Sequence, residues 1–162
     1  MRILILVDCY LPSTKSSAKL VHDLAVEWVR QGHEAVVAAP DDALATPSEI
    51  SSEEGVTVLR VRTGRIKGAS KVRRAINEWR LPSVLWKAGK QFFHSHPCDL
   101  VVYYSPTIFF APLVRRLKRM WRCSTVLVLR DIFPQWAVDA GVLRRGSLPW
   151  RFFRRAEFQQ YA

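Results

Sequence analysis

Residues 2–7, RILILV, form an uninterrupted apolar run at the very start of the chain. A run this short, bare of polar residues beyond its first, is typical of a parallel strand covered on both faces. Similar runs recur at 34–39 (EAVVAA), 56–61 (VTVLRV), 100–103 (LVVY) and 124–129 (STVLVL). Between the first two, Leu20, Val21, Leu24, Ala25, Trp28 and Val29 repeat at helical spacing, and Gly32 stands where a helix ends. Strand, helix and strand in one parallel sheet require a right-handed crossover.

The rest of the chain is read on the same terms. Residues 41–55, polar and acidic, read as a surface loop, and 62–70 as a basic loop. Residues 71–94 have a helical pattern that Pro82 should break. Ser105 and Pro106 offer an N-cap and a first-turn proline for a helix reaching about Trp121, with Pro112 either kinking it or marking its true start. A last basic helix runs from about Leu148. This order predicts one Rossmann-like α/β domain over 1–162, with a mainly parallel sheet covered by helices on both faces. At 162 residues there is enough chain for a sizeable core. The chain stops inside a helix, so the expectation is a domain cut from something longer.

Several function classes lose support here. No apolar run approaches the ~20 residues of a membrane span, and Asp8 closes the first run without a cleavage site behind it. Cys9, Cys98 and Cys123 are an odd number in no metal-binding spacing, which reads as reduced thiols in a cytoplasmic protein. No Cys/His/carboxylate cluster argues for zinc. His22, His33, His94 and His96 read as structural or exposed. There is no GxGxxG, no GxxxxGK[ST] and no GxSxG.

Charge is distributed unevenly. Residues 1–59 carry four basic and nine acidic side chains, whereas 60–162 carry 21 basic and five acidic, so a net −5 precedes a net +16. Such asymmetry implies an anionic partner. Between Arg60 and Phe93, ten Lys/Arg face one acid, Glu78, and are interleaved with aromatic and aliphatic residues. Arg73, Arg74, Trp79, Arg80, Trp86 and Lys87 are the candidate contacts for an anionic membrane surface, where aromatics settle at headgroup depth and each cation adds about 1 kcal/mol. A core-facing helix with a solvated basic back would satisfy the same pattern. No helix-turn-helix, RRM or KH signature supports nucleic acid as the partner.

Two further segments sit where strands end, and ligands of open α/β sheets bind outside the carboxyl ends of strands. After the first strand, Thr14, Lys15, Ser16 and Ser17 precede a helix, a setting that suits phosphate or sugar-phosphate, or else an ordinary cap. After the last strand come Arg130 and Asp131. The aspartate is able to orient or deprotonate a hydroxyl and the arginine to bind phosphate; a cap or surface salt bridge is the plainer alternative.

Three stretches together resemble the N-terminal domain of a retaining GT-B glycosyltransferase of family four: MRILILVDCYLPSTKSSAKLVHDLAVEWVRQGHEAVVAAP, YYSPTIFFAPLVRRLK and VLRDIFPQWAVDAG. Within that family the chain is similar to the bacterial subgroup that extends lipid-linked surface polysaccharides, such as fucosaminyl and related O-antigen or colanic-type transferases. The resemblance implies two Rossmann-like domains facing a cleft, this chain being the acceptor-side one, with the donor-binding C-terminal domain lying outside it. It implies transfer of a hexosyl or N-acetylhexosaminyl group from a nucleotide-sugar, a UDP-sugar by expectation, without a metal. The acceptor would be a lipid-linked glycan, reached from the inner face of the cytoplasmic membrane. By position, the resemblance places residues 14–17 near donor phosphates, Ser105 and Pro106 at a cleft loop with Thr107 at its second proline, Asp131 at the aspartate of the family's HD-like segment, and Arg130 at its histidine position. The fragment alone is expected to be inactive. The alternatives are a non-catalytic accessory subunit of a split glycosyltransferase and, on charge only, a nucleic-acid-binding domain.

Overall fold

A computed structural model describes residues 1–64, 71–105 and 107–161, apart from the side chains of Lys71, Val72 and Arg74. The expectations at Pro106 and for the Arg74 side chain therefore lie outside the described residues. The elements in order are β1 (Arg2–Leu6), α1 (Ser16–Arg30), β2 (Glu34–Asp41), β3 (Ser48–Glu53), β4 (Val56–Arg62), α2 (Lys71–Ser95), β5 (Leu100–Tyr104), α3 (Ala111–Trp121), β6 (Ser124–Val128), α4 (Gln135–Asp139) and α5 (Leu148–Tyr161).

Six strands make one sheet in the order β3-β4-β2-β1-β5-β6, parallel except where β3 runs against β4. Leu6 lies opposite both Ala38 and Tyr103, so β1 is central and its carboxyl end opens between those of β2 and β5. Alternate residues of each strand feed two cores. Leu4, Leu6, Leu59 and Val61 pack under α2 and α3 with Leu81, Leu85, Phe93 and Leu117. Ile3, Ile5, Val37 and Val58 pack under α1 with Val21, Ala25 and Val26. The central strands β1, β2 and β5 have no polar face because both their faces are covered, as their unbroken apolar runs required.

Three expectations are corrected. Residues 41–55 are not all loop: Ser48–Glu53 pairs with β4 through a two-residue turn in which Glu54 and Gly55 both have positive φ (49° and 82°). That is the hairpin geometry that matches strand twist. The strand escapes an apolar-run search because it is an edge, with Glu49, Ile50 and Ser52 exposed. Pro82 does not break α2, which is continuous over 25 residues. The missing N–H costs one helical hydrogen bond, and the burial of Leu81, Leu85, Phe92 and Phe93 along the same helix offsets it. Gly89 permits the close approach, since a Cβ there would meet Leu59 Cδ2 and Phe93 Cε2 at 2.9 Å. Finally, Ser105 does not cap α3. The helix starts at Ala111 with Pro112 in its first turn, the second of the two readings of that proline.

Candidate functional site

Five strands deliver their carboxyl ends to one edge of the sheet. Beyond β1, β2 and β4 lies a cleft of about 310 Å3, lined by the loop from Asp8 to Ser13, by Asp41 at the end of β2 with Asp42 after it, and by Arg60 of β4 with Thr63 just past it. Asp8 is buried and faces Lys15, whose Nζ stands 4.0 Å from Asp8 Oδ2. Three carboxylates, Asp8, Asp41 and Asp42, are on the cleft's polar lining, groups suited to accept hydrogen bonds from hydroxyls.

The cleft walls are held by two polar clusters that sequence patterning did not disclose. Arg60, counted among the basic residues of a membrane-facing stretch, turns inward instead. Being an even-numbered residue of β4 it shares the face of Val58, and its guanidinium donates to Ser51 Oγ at 2.8 Å, to the Leu11 carbonyl at 3.0 Å and to Glu53, with Asp41 at 3.8 Å. One side chain thus ties β3, β2 and the loop after β1. On the other wall, Tyr10 Oη lies 2.7 Å from His22 Nδ1, and His22 Nε2 lies 3.2 Å from Glu54 Oε1. Burial, with the Glu53 charge behind it, raises the Tyr10 phenol well above its ordinary range. Asp8, Tyr10 and Arg60 lacked any motif; the signal within reach was their position just past, or at the end of, an apolar run.

The serine loop sits beside this cleft. Thr14, Lys15 and Ser16 are exposed. Ser17 Oγ lies 3.3 Å from the Sγ of Cys9, itself part of the cleft lining. Lys15 occupies the N-cap position of α1 without a side-chain cap of its own, and the Ala18 N–H donates to its carbonyl at 3.0 Å, so the lysine stands at the positive end of the helix dipole.

Arg130 and Asp131 come together with Ser105 at the ends of β5 and β6. Ser105 is fully buried; its N–H donates to the Val128 carbonyl at 3.0 Å and its Oγ to the Asp131 carbonyl at 3.1 Å. Arg130 donates to Tyr104 Oη at 2.9 Å, and that bond, followed by the field of the same phenol, raises the guanidinium pKa. The Asp131 side chain is exposed. Thr107 Oγ1, buried two residues past Ser105, has no hydrogen-bond partner among the described residues. This group and the serine loop share the sheet edge, but Ser105, Arg130 and Asp131 do not line the 310 Å3 cleft.

The candidate membrane contacts divide. Arg73, Trp79, Arg80 and Lys87 are exposed, Trp79 by 57%. Trp86 is drawn in: its ring stacks on Phe93 (centroids 6.2 Å, planes 8° apart) and the Arg116 guanidinium lies 4.4 Å above it. It faces α3, where Trp79 faces solvent. α5 brings aromatics the expectation had not included, with Phe152 and Phe158 about half exposed among Arg151, Arg154 and Arg155. No described helix is long and apolar enough to cross a membrane. Among the described residues no three His, Cys, Asp or Glu gather as metal ligands.

Comparison with solved structures shows the same fold in proteins of different activity. The catalytic domain of starch synthase IV from Arabidopsis thaliana, bound to ADP and acarbose, superposes with a TM-score of 0.55 at 15% identity, over 78% of this chain and 33% of that one. The C-terminal domain of PF1911 hydrogenase from Pyrococcus furiosus gives 0.54 at 15% identity, over 79% and 90%. An E. coli structure described as trehalose-6-phosphate bound with UDP-2-fluoro glucose gives 0.52 at 10% identity, over 99% and 43%. The chain thus spans less than half of the two carbohydrate-related neighbours, and the hydrogenase match shows that the fold does not select among chemistries. No curated protein sequence matches the chain. The family model described as a glycosyl transferase 4-like domain matches residues 17–161, from the first turn of α1 to the end of α5, and the chain belongs to that family.

Proposed function

We propose that this chain is the acceptor-side half of a retaining GT-B glycosyltransferase that moves a sugar from a nucleotide-sugar to a lipid-linked glycan at an anionic membrane face. The observation that carries the membrane and lipid part of this reading is the surface shared by α2 and α5. Trp79 and Phe152 stand exposed there around one hollow with Arg80 and Arg155, and Phe158 and Arg151 adjoin it on α5 through Arg155. Aromatics that insert at headgroup depth and cations that draw anionic lipid are the two components of interfacial binding. The donor is read as a nucleoside diphosphate sugar, UDP-linked by expectation, since the two carbohydrate-related neighbours are bound to ADP and to UDP-2-fluoro glucose. The phosphates would lie toward Lys15 and the start of α1. Asp131, fixed through its backbone by Ser105, would orient the acceptor hydroxyl, while Arg130 steadies negative charge. The complementary donor-binding half would lie outside this chain, and the bacterial surface-polysaccharide role follows from the sequence resemblance.

Vesicle sedimentation tests the docking. Binding to phosphatidylglycerol-containing vesicles should exceed binding to pure phosphatidylcholine, weaken with salt, and fall about fivefold or more in Trp79→Ala combined with Phe158→Ala. Equal binding to neutral vesicles would refute the reading.

A further inference from the structure

Two hollows lie side by side under the loop that leads from β5 to α3, away from the cleft described above. One, of about 340 Å3, is walled by Ile108, Phe109, Phe133, Trp136, Leu143 and Phe153, with the Glu78 carboxylate also on its lining. The other, of about 520 Å3, has the same Ile108 and Phe109 as one wall and Trp79, Phe152, Arg80 and Arg155 on the others. Among the described residues no carboxylate lines the second hollow. Phe109 is buried between them, its ring centroid 6.2 Å from that of Phe152 and 6.4 Å from that of Phe153. Phe133 packs edge-on against Phe153 at 5.0 Å. The partition is therefore a packed aromatic wall.

The chemistry on its two sides differs. The first hollow is about twice the ~150 Å3 that takes up a benzene in an apolar core, and it keeps Trp136 and Val142 50% and 57% exposed. Apolar surface of this kind is stabilised by covering it with hydrocarbon. The second hollow is lined by two arginines, Arg80 and Arg155, a residue type that prefers phosphate among common anions because its planar donors match the phosphate oxygens. A ligand satisfying both must carry a phosphate and a hydrocarbon chain.

We propose that the paired hollows bind an anionic amphiphile, its phosphate between Arg80 and Arg155 and its chain against Phe133, Trp136 and Phe153. This deepens the lipid-acceptor reading above and rests on it. Phe133 follows Asp131 by two residues, and Ser105, which holds the Asp131 carbonyl, opens the loop carrying Ile108 and Phe109. An occupant so placed has its chain, rather than its phosphate, against Phe133, two residues from the candidate catalytic aspartate.

Calorimetric titration of the protein with dodecyl phosphate below its micelle concentration tests this, with dodecyl maltoside and inorganic phosphate as the uncharged and chainless controls. Saturable binding of dodecyl phosphate, about tenfold or more tighter than either control, is expected. Val142→Asp, at an exposed position on the apolar hollow, should weaken it about tenfold. Arg80→Glu with Arg155→Glu should abolish the preference over maltoside. Equal affinity for dodecyl phosphate and maltoside, or wild-type affinity in both variants, would overturn the assignment. Val142→Asp lies off the docking surface, so its effect on vesicle binding separates the two readings. Lost amphiphile binding by the wild-type protein with intact vesicle docking sinks only the pocket. Lost vesicle docking with intact amphiphile binding sinks only the docking surface.

Discussion

Replacing Arg60 by methionine removes a charge that three elements share while keeping the length of the side chain. Arg60 is 13% exposed, and its partners Glu53 and Asp41 are 28% and 25% exposed, so the cluster is sheltered but not dry. Stripping one partner from a fully buried pair costs 3–5 kcal/mol, and the residual solvent contact of the acids lowers that figure. Lost bonds to Ser51 Oγ and the Leu11 carbonyl add to it, since each becomes an under-satisfied group. The expected loss is about 2–3 kcal/mol, which for a domain of this size lowers Tm by about 4–12 °C. Arg60→Lys should lose about half as much, because an ammonium can serve one acid but not the carbonyl, the hydroxyl and the acid together. Urea unfolding and thermal melts followed by circular dichroism would measure both. A loss within about 0.5 kcal/mol for methionine, the range of an ordinary surface substitution, would refute the view that Arg60 braces the cleft.

Two further outcomes follow from ionisable groups whose pKa values are raised, Cys98 in the core and Tyr161 partly exposed on α5. Burial pushes the Cys98 thiol from 9.0 to about 12, so its thiolate fraction at pH 8 drops by about three orders of magnitude. Iodoacetamide should therefore label it about a thousandfold more slowly in the folded protein than in urea, and comparable rates read by peptide mass mapping would contradict this. Burial, then the hydrogen bond to Glu157 at 2.9 Å, raises Tyr161 from 10.0 to about 12. Its contribution to stability is complete below pH 10 and is lost as pH rises toward 12. Glu157→Gln should bring one tyrosine back toward pH 10 in a tyrosinate absorbance titration, and an unchanged titration would show that burial alone sets the shift.

The parts legible in the sequence are those with no partner to choose. β1, β2, β4 and β5 were readable because strands covered on both faces are apolar almost throughout, whatever covers them, and β6 was readable by its apolar run although it is an edge. β3 was not, since SEISSE is an edge whose faces meet water, and its only local marker was the Glu54-Gly55 turn. The positions of Lys15, Arg130 and Asp131 at strand ends were also readable, because strand direction fixes where loops emerge. What tertiary contact decides was not. Trp79 and Trp86 are seven residues apart on one helical face, yet α3 covers only the second. Arg60 carries the same charge as its neighbours, yet Glu53 lies seven residues upstream and across a hairpin that the sequence did not announce.

The two rims of the sheet are chemically unlike. At one rim the outermost strand, β3, bears Glu49 and Glu53 and only one large apolar side chain, Ile50. An extended peptide approaching there meets repulsion and little to bury. At the other, β6 is short but apolar, with Val126 47% exposed beside unpaired backbone on its outer side. Lateral growth of this sheet, whether by an added strand or by unwanted self-association, is thereby directed to a single side.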